Sequence, residues 1–471
     1  MTPDRRASPD WRASIADCAA AVRGRVVSVE EIARETLVEV GRVDGWLKAF
    51  TYLEPEQVLA EARLLDGRLG RGEALGALAG VPLGVKDLYD AVGLPSSYGG
   101  PPHEPYLPDR DATSVARLRA AGALVIGKTR TAEFAWRTVT PPTANPRDPR
   151  LVAGGSSGGS AAAVGAGLVH IGLGTDTNGS IRMPAALCGT VGIKPTYGVV
   201  SRAGVLPANL SLDTAGPLTR SVADARVALA HLAGHDRQDP ASAAPRLVEP
   251  LRQRLLDPTQ PPCLRGLRLG VVDEPLFEIV EPRARALHER LLERLEQEGV
   301  ELVRLRLPAA RFIEAALLAI DLPEGAALHT ERLRARGSEL LDEVRLLLHV
   351  AHAIPAVLMA RGHQVRRDIQ GLVASLYRNH DLRAIVAPAT GGPSIPSDDL
   401  GHTFTRADGS QELATWSYAR VCTLASLTGL PALVVPIVLE SPPLGVQIIG
   451  RPFQDDEVLN LGAAIEALIP L

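Results

Sequence analysis

Lysine is nearly missing from this chain: of its 50 basic residues only Lys48, Lys86, Lys128 and Lys194 are lysines, the rest being arginines. Arginine keeps its proton in any protein setting, whereas a buried lysine can lose it. A lysine set in an apolar stretch of so arginine-rich a chain is therefore a candidate base, with a structural ion pair as the plainer alternative. Cysteine is scarce too. Cys18, Cys188, Cys263 and Cys422 are scattered without a CxxC pair, which speaks against a zinc knuckle or disulfide framework and makes a reduced, cytoplasmic setting the expectation. The eleven histidines have neither ligand spacing nor a partner motif, so no metal is expected. With a net charge of -4 and no run of five basic residues, the chain lacks the cationic face that phosphate contacts require, and nucleic acid is not expected as a direct ligand. The opening MTPDRRASPDWRAS has no apolar core, and no apolar run reaches the roughly 18 residues that cross a bilayer, so neither a secretory signal nor a membrane partner is expected.

What the chain does have is enough apolar sequence, 46% of 471 residues, to bury a large core. SVEEIARETLVEVGRV repeats apolar residues at helical spacing behind Ser28, a natural cap, and residues 1–70 read as an N-terminal helical segment. LAGVPLGVKD and ALVIGKT are short apolar runs suited to buried strands, with the helix TSVARLRAAG between them. RLGVV, ELVRLRL, RAIVAPA, ALVVPI and LGVQIIG continue the strands, and EPRARALHERLLERLEQEG and FIEAALLAI the helices. The expectation is one large α/β domain with a mixed, mostly parallel twisted sheet covered by helices on both faces. Within it, residues 71–234 form the core, 235–265 an exposed connection rich in Pro, Ala and charge, and 266–471 the second part, with a helical excursion at 326–380. PSIPSDDLGHTFTRADGS reads as a long loop of the kind that borders binding sites.

The most unusual local sequence is GGSSGGSAAAVGAG, residues 154–167, where glycines and hydroxyls precede an alanine-rich helix. Such a turn frees N–H groups that bind an anion or oxyanion. A P-loop would need a lysine after these glycines, and none follows. Gly154 to Gly158 fits the G-x-S-x-G nucleophile elbow, with Ser156 attacking, but the preceding PPTANPRDPRLVAG is no strand. A purely structural turn is the third reading, and this segment alone does not choose.

A second segment does. In GLGTDTNGSIRMPAALCGTVGIKPT, residues 172–196, an apolar strand enters a Gly-rich turn whose Thr177, Asn178, Gly179 and Ser180 N–H groups suit a developing oxyanion. VPLGVKD adds Lys86 at the end of another apolar strand, where burial would lower its pKa. With these motifs, with DATSVARLRAAGALVIGKT, SLDTAGPLTRSVAD, TGLPALVVPI and PLGVQIIG, and with 24 residues between Ser156 and Ser180, the chain resembles the amidase signature family over about residues 28–465. The resemblance implies Ser180 as nucleophile, Ser156 as the serine after a cis peptide bond, and Lys86 as terminal base. It further implies Thr177, Asn178 and Gly179 around oxyanion and substrate, Ser157, Asp176 and Arg182 as supporting residues, and no cofactor. The expected partner is a small-molecule amide, with a homodimer as the assembly allowed for.

The chain departs from the family at Asn178, where glycine is common, at Ser426 for asparagine and at Val199 for arginine. The stretch between Glu133 and Ser156 is also shorter than in the tRNA-amidotransferase branch. These departures favour an amidohydrolase of a small or medium amide, carbamate or urea-type substrate. The glutaminase-type subunit of a tRNA-dependent amidotransferase complex is the alternative. TDTNGSIR is also similar to the branch that hydrolyses carboxybiuret-like ureas.

Overall fold

In the computed structural model, which describes residues 10–100, 106–257 and 263–469, short apolar runs and amphipathic helices alternate around one central sheet. Residues 1–9 of the expected helical segment and 258–262 of the expected connection lie outside the described residues. The strands run β1 (Phe50–Tyr52), β2 (Pro82–Lys86), β3 (Leu124–Thr129), β4 (Ile171–Asp176), β5 (Val191–Lys194), β6 (Thr214–Thr219), β7 (Arg268–Val272), β8 (Glu301–Leu305) and β9 (Ala384–Pro388). The small β10 (Thr403–Thr405) and β11 (Gln411–Leu413) follow, then β12 (Ala432–Val438) and β13 (Leu444–Ile449). Among the described residues eleven of them form one sheet in the order β1-β3-β2-β4-β6-β5-β12-β13-β9-β7-β8.

The sheet is mixed, but the expectation of a mostly parallel one needs correction. β3, β2 and β4 are parallel at one end and β9, β7 and β8 at the other, while every pairing from β4 through β6, β5, β12 and β13 to β9 is antiparallel. The reason lies in the connections. Parallel neighbours need a crossover long enough for a helix, whereas β12 and β13 are joined by a short turn and so run antiparallel. Apolar runs look alike in both cases.

Helices α1 (Ile15–Arg23), α2 (Val29–Leu47) and α3 (Pro55–Gly70) lead into the sheet, α4 (Thr113–Ala120) and α5 (Gly158–Gly165) cross it, and α6 (Arg182–Cys188) and α7 (Val222–Leu232) follow. Ser28 caps α2 by a reciprocal box: its Oγ accepts from Glu31 N–H at 3.1 Å, and Glu31 accepts from Ser28 N–H at 2.8 Å. The all-helical expectation for 1–70 misses β1, which pairs antiparallel with β3 after Lys48 turns the chain at φ 56°. The reading of 235–265 as an exposed connection likewise misses α8 (Pro245–Leu256), whose Val248, Leu251 and Leu255 are buried at helical spacing.

In the second half α9 (Pro282–Gln297) bridges β7 and β8, and the helical excursion is wider than expected, comprising α10 (Ile313–Arg336), α11 (Asp342–His352) and α12 (Ala356–Asn379). The loop expected at 393–410 contains β10, which forms a hairpin with β11. Helices α13 (Ala414–Arg420), α14 (Thr423–Thr428) and α15 (Asp455–Leu468) complete the cover. Among the described residues no single helix is long and apolar enough to cross a membrane.

Candidate active site

Two neighbouring strands and the turn before α5 meet at Lys86. It ends β2, fully buried, and its Nζ lies 2.8 Å from each of three hydroxyl oxygens: Ser156 Oγ and Ser157 Oγ from the turn before α5, and Thr175 Oγ1 from β4. The Gly155–Ser156 peptide bond is cis, as the resemblance implied. The Ser156 carbonyl is held by the Thr131 hydroxyl at 3.0 Å, the Thr140 hydroxyl at 3.2 Å and the Ala132 N–H at 3.2 Å. Room for this turn requires a bare residue at 155, where a Cβ would come within 2.8 Å of the Val139 backbone.

Burial pushes the Lys86 amine down to about 7, against the opposing charges of Asp213 and Asp176. Among the described residues no carboxylate forms an ion pair with it, so the neutral amine is accessible near neutral pH. Ser157 Oγ donates in turn to the Thr175 carbonyl at 3.2 Å, which ties the turn to β4.

Ser180 stands in the turn after β4, and its carbonyl accepts from the Ser157 N–H at 3.2 Å, joining the two serine segments. Its side chain opens into a cavity of about 300 Å³. Among the described residues no hydrogen bond joins Ser180 Oγ to Ser156 Oγ, in contrast to the close Lys86–Ser156 link.

Asp176, at the end of β4, organises the turn. Its carboxylate accepts from the N–H groups of Gly179 at 2.7 Å and Ile181 at 3.2 Å, and pairs with the Arg182 guanidinium at 2.9 Å with both side chains fully buried. Burial alone would raise its carboxyl, but the Arg182 charge and hydrogen bonds prevail and hold it below the usual carboxylate range. Arg182 also donates to Ser426 Oγ at 2.7 Å, Gln447 Oε1 at 2.5 Å and the Cys422 carbonyl at 3.0 Å, so it is consumed inside the protein.

These bonds correct one expectation. Gly179, set among the oxyanion donors, has its N–H committed to Asp176, and what its position demands instead is a φ of 96°, with a Cβ only 2.8 Å from Cys422. The N–H groups of Thr177, Asn178 and Ser180 meet no acceptor among the described residues. Thr177 donates its hydroxyl to Asp213 at 2.5 Å, while Asn178 Oδ1 is buried without a partner beside the cavity.

Thr175, Asp213 and Asp321 were not anticipated. Thr175 lies within the 172–196 segment and Asp213 within SLDTAGPLTRSVAD, yet neither side chain stands out there, while Asp321 comes from α10, distant from the Gly-rich motifs and without a local signature. Among the described residues no cluster of three or more His, Cys, Asp or Glu side chains is placed to hold a metal ion.

Comparison with known proteins extends this picture across the chain. The family model for amidases matches residues 31–459. An amidase of Pseudomonas putida is 36% identical over 97% of this chain and 96% of its own length. A glutamyl-tRNA(Gln) amidotransferase subunit from Anaeromyxobacter sp. (strain K) is 35% identical over 97% and 96%. The solved native peptide amidase of Stenotrophomonas maltophilia superposes with a TM-score of 0.82 at 30% identity, covering 97% of this chain and 96% of that one.

Proposed function

The chain belongs to the amidase family and hydrolyses C–N bonds as a serine amidase, and from that premise we propose a mechanism in which Ser180 is the nucleophile, Ser156 the relay and Lys86 the base. The observation that carries the reading is Lys86 itself, buried among three hydroxyls and lowered to about 7. A neutral amine donates two hydrogen bonds and accepts one. Ser157 already donates to the Thr175 carbonyl, so its oxygen receives from Lys86; with the Thr175 hydroxyl taking the second N–H of the amine, Ser156 gives its proton to the lone pair.

As Ser180 Oγ attacks the amide carbonyl, its proton passes to Ser156 while the Ser156 proton moves to Lys86. The negative oxygen faces the uncommitted N–H groups of Thr177, Asn178 and Ser180. Lys86 returns the proton through Ser156 to the leaving amine, forming the acyl-enzyme, and water releases the acid by the same path in reverse. Because the Ser180–Ser156 hydrogen bond is not formed in the free protein, closing it is a step of substrate binding.

The cavity supports a small or medium amide: its volume is about 300 Å³ and Met183, Leu318, Leu347 and Trp416 give it an apolar wall. That wall favours the amidohydrolase over the glutaminase-type subunit of an amidotransferase, whose substrate ends in charged groups and has only two methylenes to set against an apolar wall. Mapping the adduct of an alkyl fluorophosphonate tests the roles directly. The expected adduct is on Ser180 and is abolished by Ser180→Ala; an adduct on Ser156 overturns the assignment. Turnover of glutamine only in the presence of further subunits would favour the second reading.

A further inference from the structure

The cavity in front of Ser180 contains two charged side chains, and they are not equivalent. Arg137 is occupied by an ion pair with Glu343 at 2.9 Å. Asp321, on α10, lines the same cavity without an ion-pair partner among the described residues. The groups around it add negative charge. Asp213 and Glu324 both act on its carboxyl, while the Asn209 side chain donates to the Asp321 main-chain carbonyl at 3.3 Å. The neighbouring basic groups are directed elsewhere: His363 Nε2 lies 3.4 Å from Glu324, Arg366 feels the charge of Glu324, and Arg202 and Lys86 interact with Asp213. Asp213 itself is taken up by the Thr177 hydroxyl and the N–H groups of Ala208 and Asn209. One carboxylate, backed by two more, thus faces an apolar space with no ion-pair partner among the described residues.

We infer that Asp321 determines specificity by receiving a cationic amino group, so that the preferred substrate is an amide with an apolar body and an ammonium on the part that lies against α10. This rests on the reading of Ser180 as nucleophile, since it is Ser180 that fixes where the amide sits in the cavity. An ammonium there forms a charge-assisted hydrogen bond in a weakly screened site and offsets the repulsion among Asp213, Asp321 and Glu324. A substrate carrying a carboxylate on the same side is disfavoured by the same charges, which separates this chain from a hydrolase of carboxybiuret-like ureas.

The test uses the full chain and two alkyl fluorophosphonates of equal length, one ending in an ammonium and one in a methyl group, with phosphonylation of Ser180 followed by mass spectrometry. At about pH 8 the ammonium reagent is expected to react about tenfold faster at subsaturating concentration, as a hydrogen bond to a charged group implies. Asp321→Asn should bring the two rates to within about twofold, acting through the concentration dependence rather than the limiting rate.

The native protein supplies a second measurement. Burial, with Asp213 and Glu324, pushes the Asp321 carboxyl up to about 7, so it is ionised above that pH and neutral below. The ammonium preference should therefore shrink towards unity at about pH 5.5, and because both reagents depend equally on Lys86 the ratio cancels the titration of the base. Equal rates at about pH 8, or a preference that survives Asp321→Asn, overturn the assignment and leave Ser180 as nucleophile. Labelling of Ser156, or no labelling of Ser180 by either reagent, contradicts the nucleophile assignment and this inference with it.

Discussion

Lys86 ends β2 and Lys128 is the last residue but one of the adjacent parallel β3, one register position apart, and both are fully buried. Their surroundings differ in kind. Lys86 meets three hydroxyls, while Lys128 lies 3.1 Å from the Asp87 carboxylate and donates to the Tyr89 carbonyl at 2.8 Å and to Ser96 Oγ. Burial lowers both amines, but beside Lys128 the Asp87 charge and hydrogen bond push back. A carboxylate at that distance favours the ammonium form, whereas hydroxyls serve either form. Two lysines at one depth are thereby divided between a proposed base and an ion pair, and what divides them is whether the next strand or loop brings an acid or an alcohol.

Substitution at each lysine should separate these roles. Lys86→Met is expected to lower kcat/KM by about 10²- to 10⁴-fold, the usual contribution of a positioned base, with a smaller effect on unfolding than its neighbour's. Lys128→Met leaves Asp87 buried and unpaired, and should cost about 3 to 5 kcal/mol in denaturant unfolding while the folded fraction keeps its activity. Equal losses of activity from both would erase the distinction. Ser426→Ala deprives the buried Arg182 of one acceptor and is expected to cost about 1 to 3 kcal/mol, with a weaker fall in activity as the Asp176 turn loosens. If that variant is as stable as the parent, Ser426 does not support the turn.

Much of this arrangement is legible before any coordinates. The scarcity of lysine draws attention to Lys86, and the Gly-rich turns draw it to Ser156 and Ser180, because glycine and small hydroxyls mark places where backbone N–H groups are exposed. Partners that come from elsewhere in the chain are not legible. Asp321 reaches the cavity from a helix that reads as ordinary cover, and although Thr175 and Asp213 lie inside motif segments, the direction their side chains take from β4 and from the loop before β6 is set only by the fold. The Gly179 N–H looks free in sequence and is not, since the direction of the Asp176 side chain is settled only by Arg182 across the turn. Strand direction is equally hidden: β12 and β13 read as apolar runs like β2 and β3, yet they pair antiparallel. The helix α8 was present in the spacing of Val248, Leu251 and Leu255 but masked by surrounding proline and charge.

The central claim is that the proton from Ser180 ends on Lys86, and another buried amine makes the claim testable. Lys194 is also lowered to about 7, by burial and by the Arg182 charge, but among the described residues it donates only to the Pro195 carbonyl at 3.0 Å and lies outside the proposed relay. The decisive measurement is the pH dependence of Ser180 phosphonylation by a neutral, methyl-ended fluorophosphonate in the native chain, Lys86→Met and Lys194→Met. A base must be unprotonated, so the native rate should rise with pH through an apparent pKa near 7, as burial of Lys86 implies. The account predicts that Lys86→Met loses this limb while Lys194→Met keeps it; a limb that survives in Lys86→Met and vanishes in Lys194→Met would contradict it.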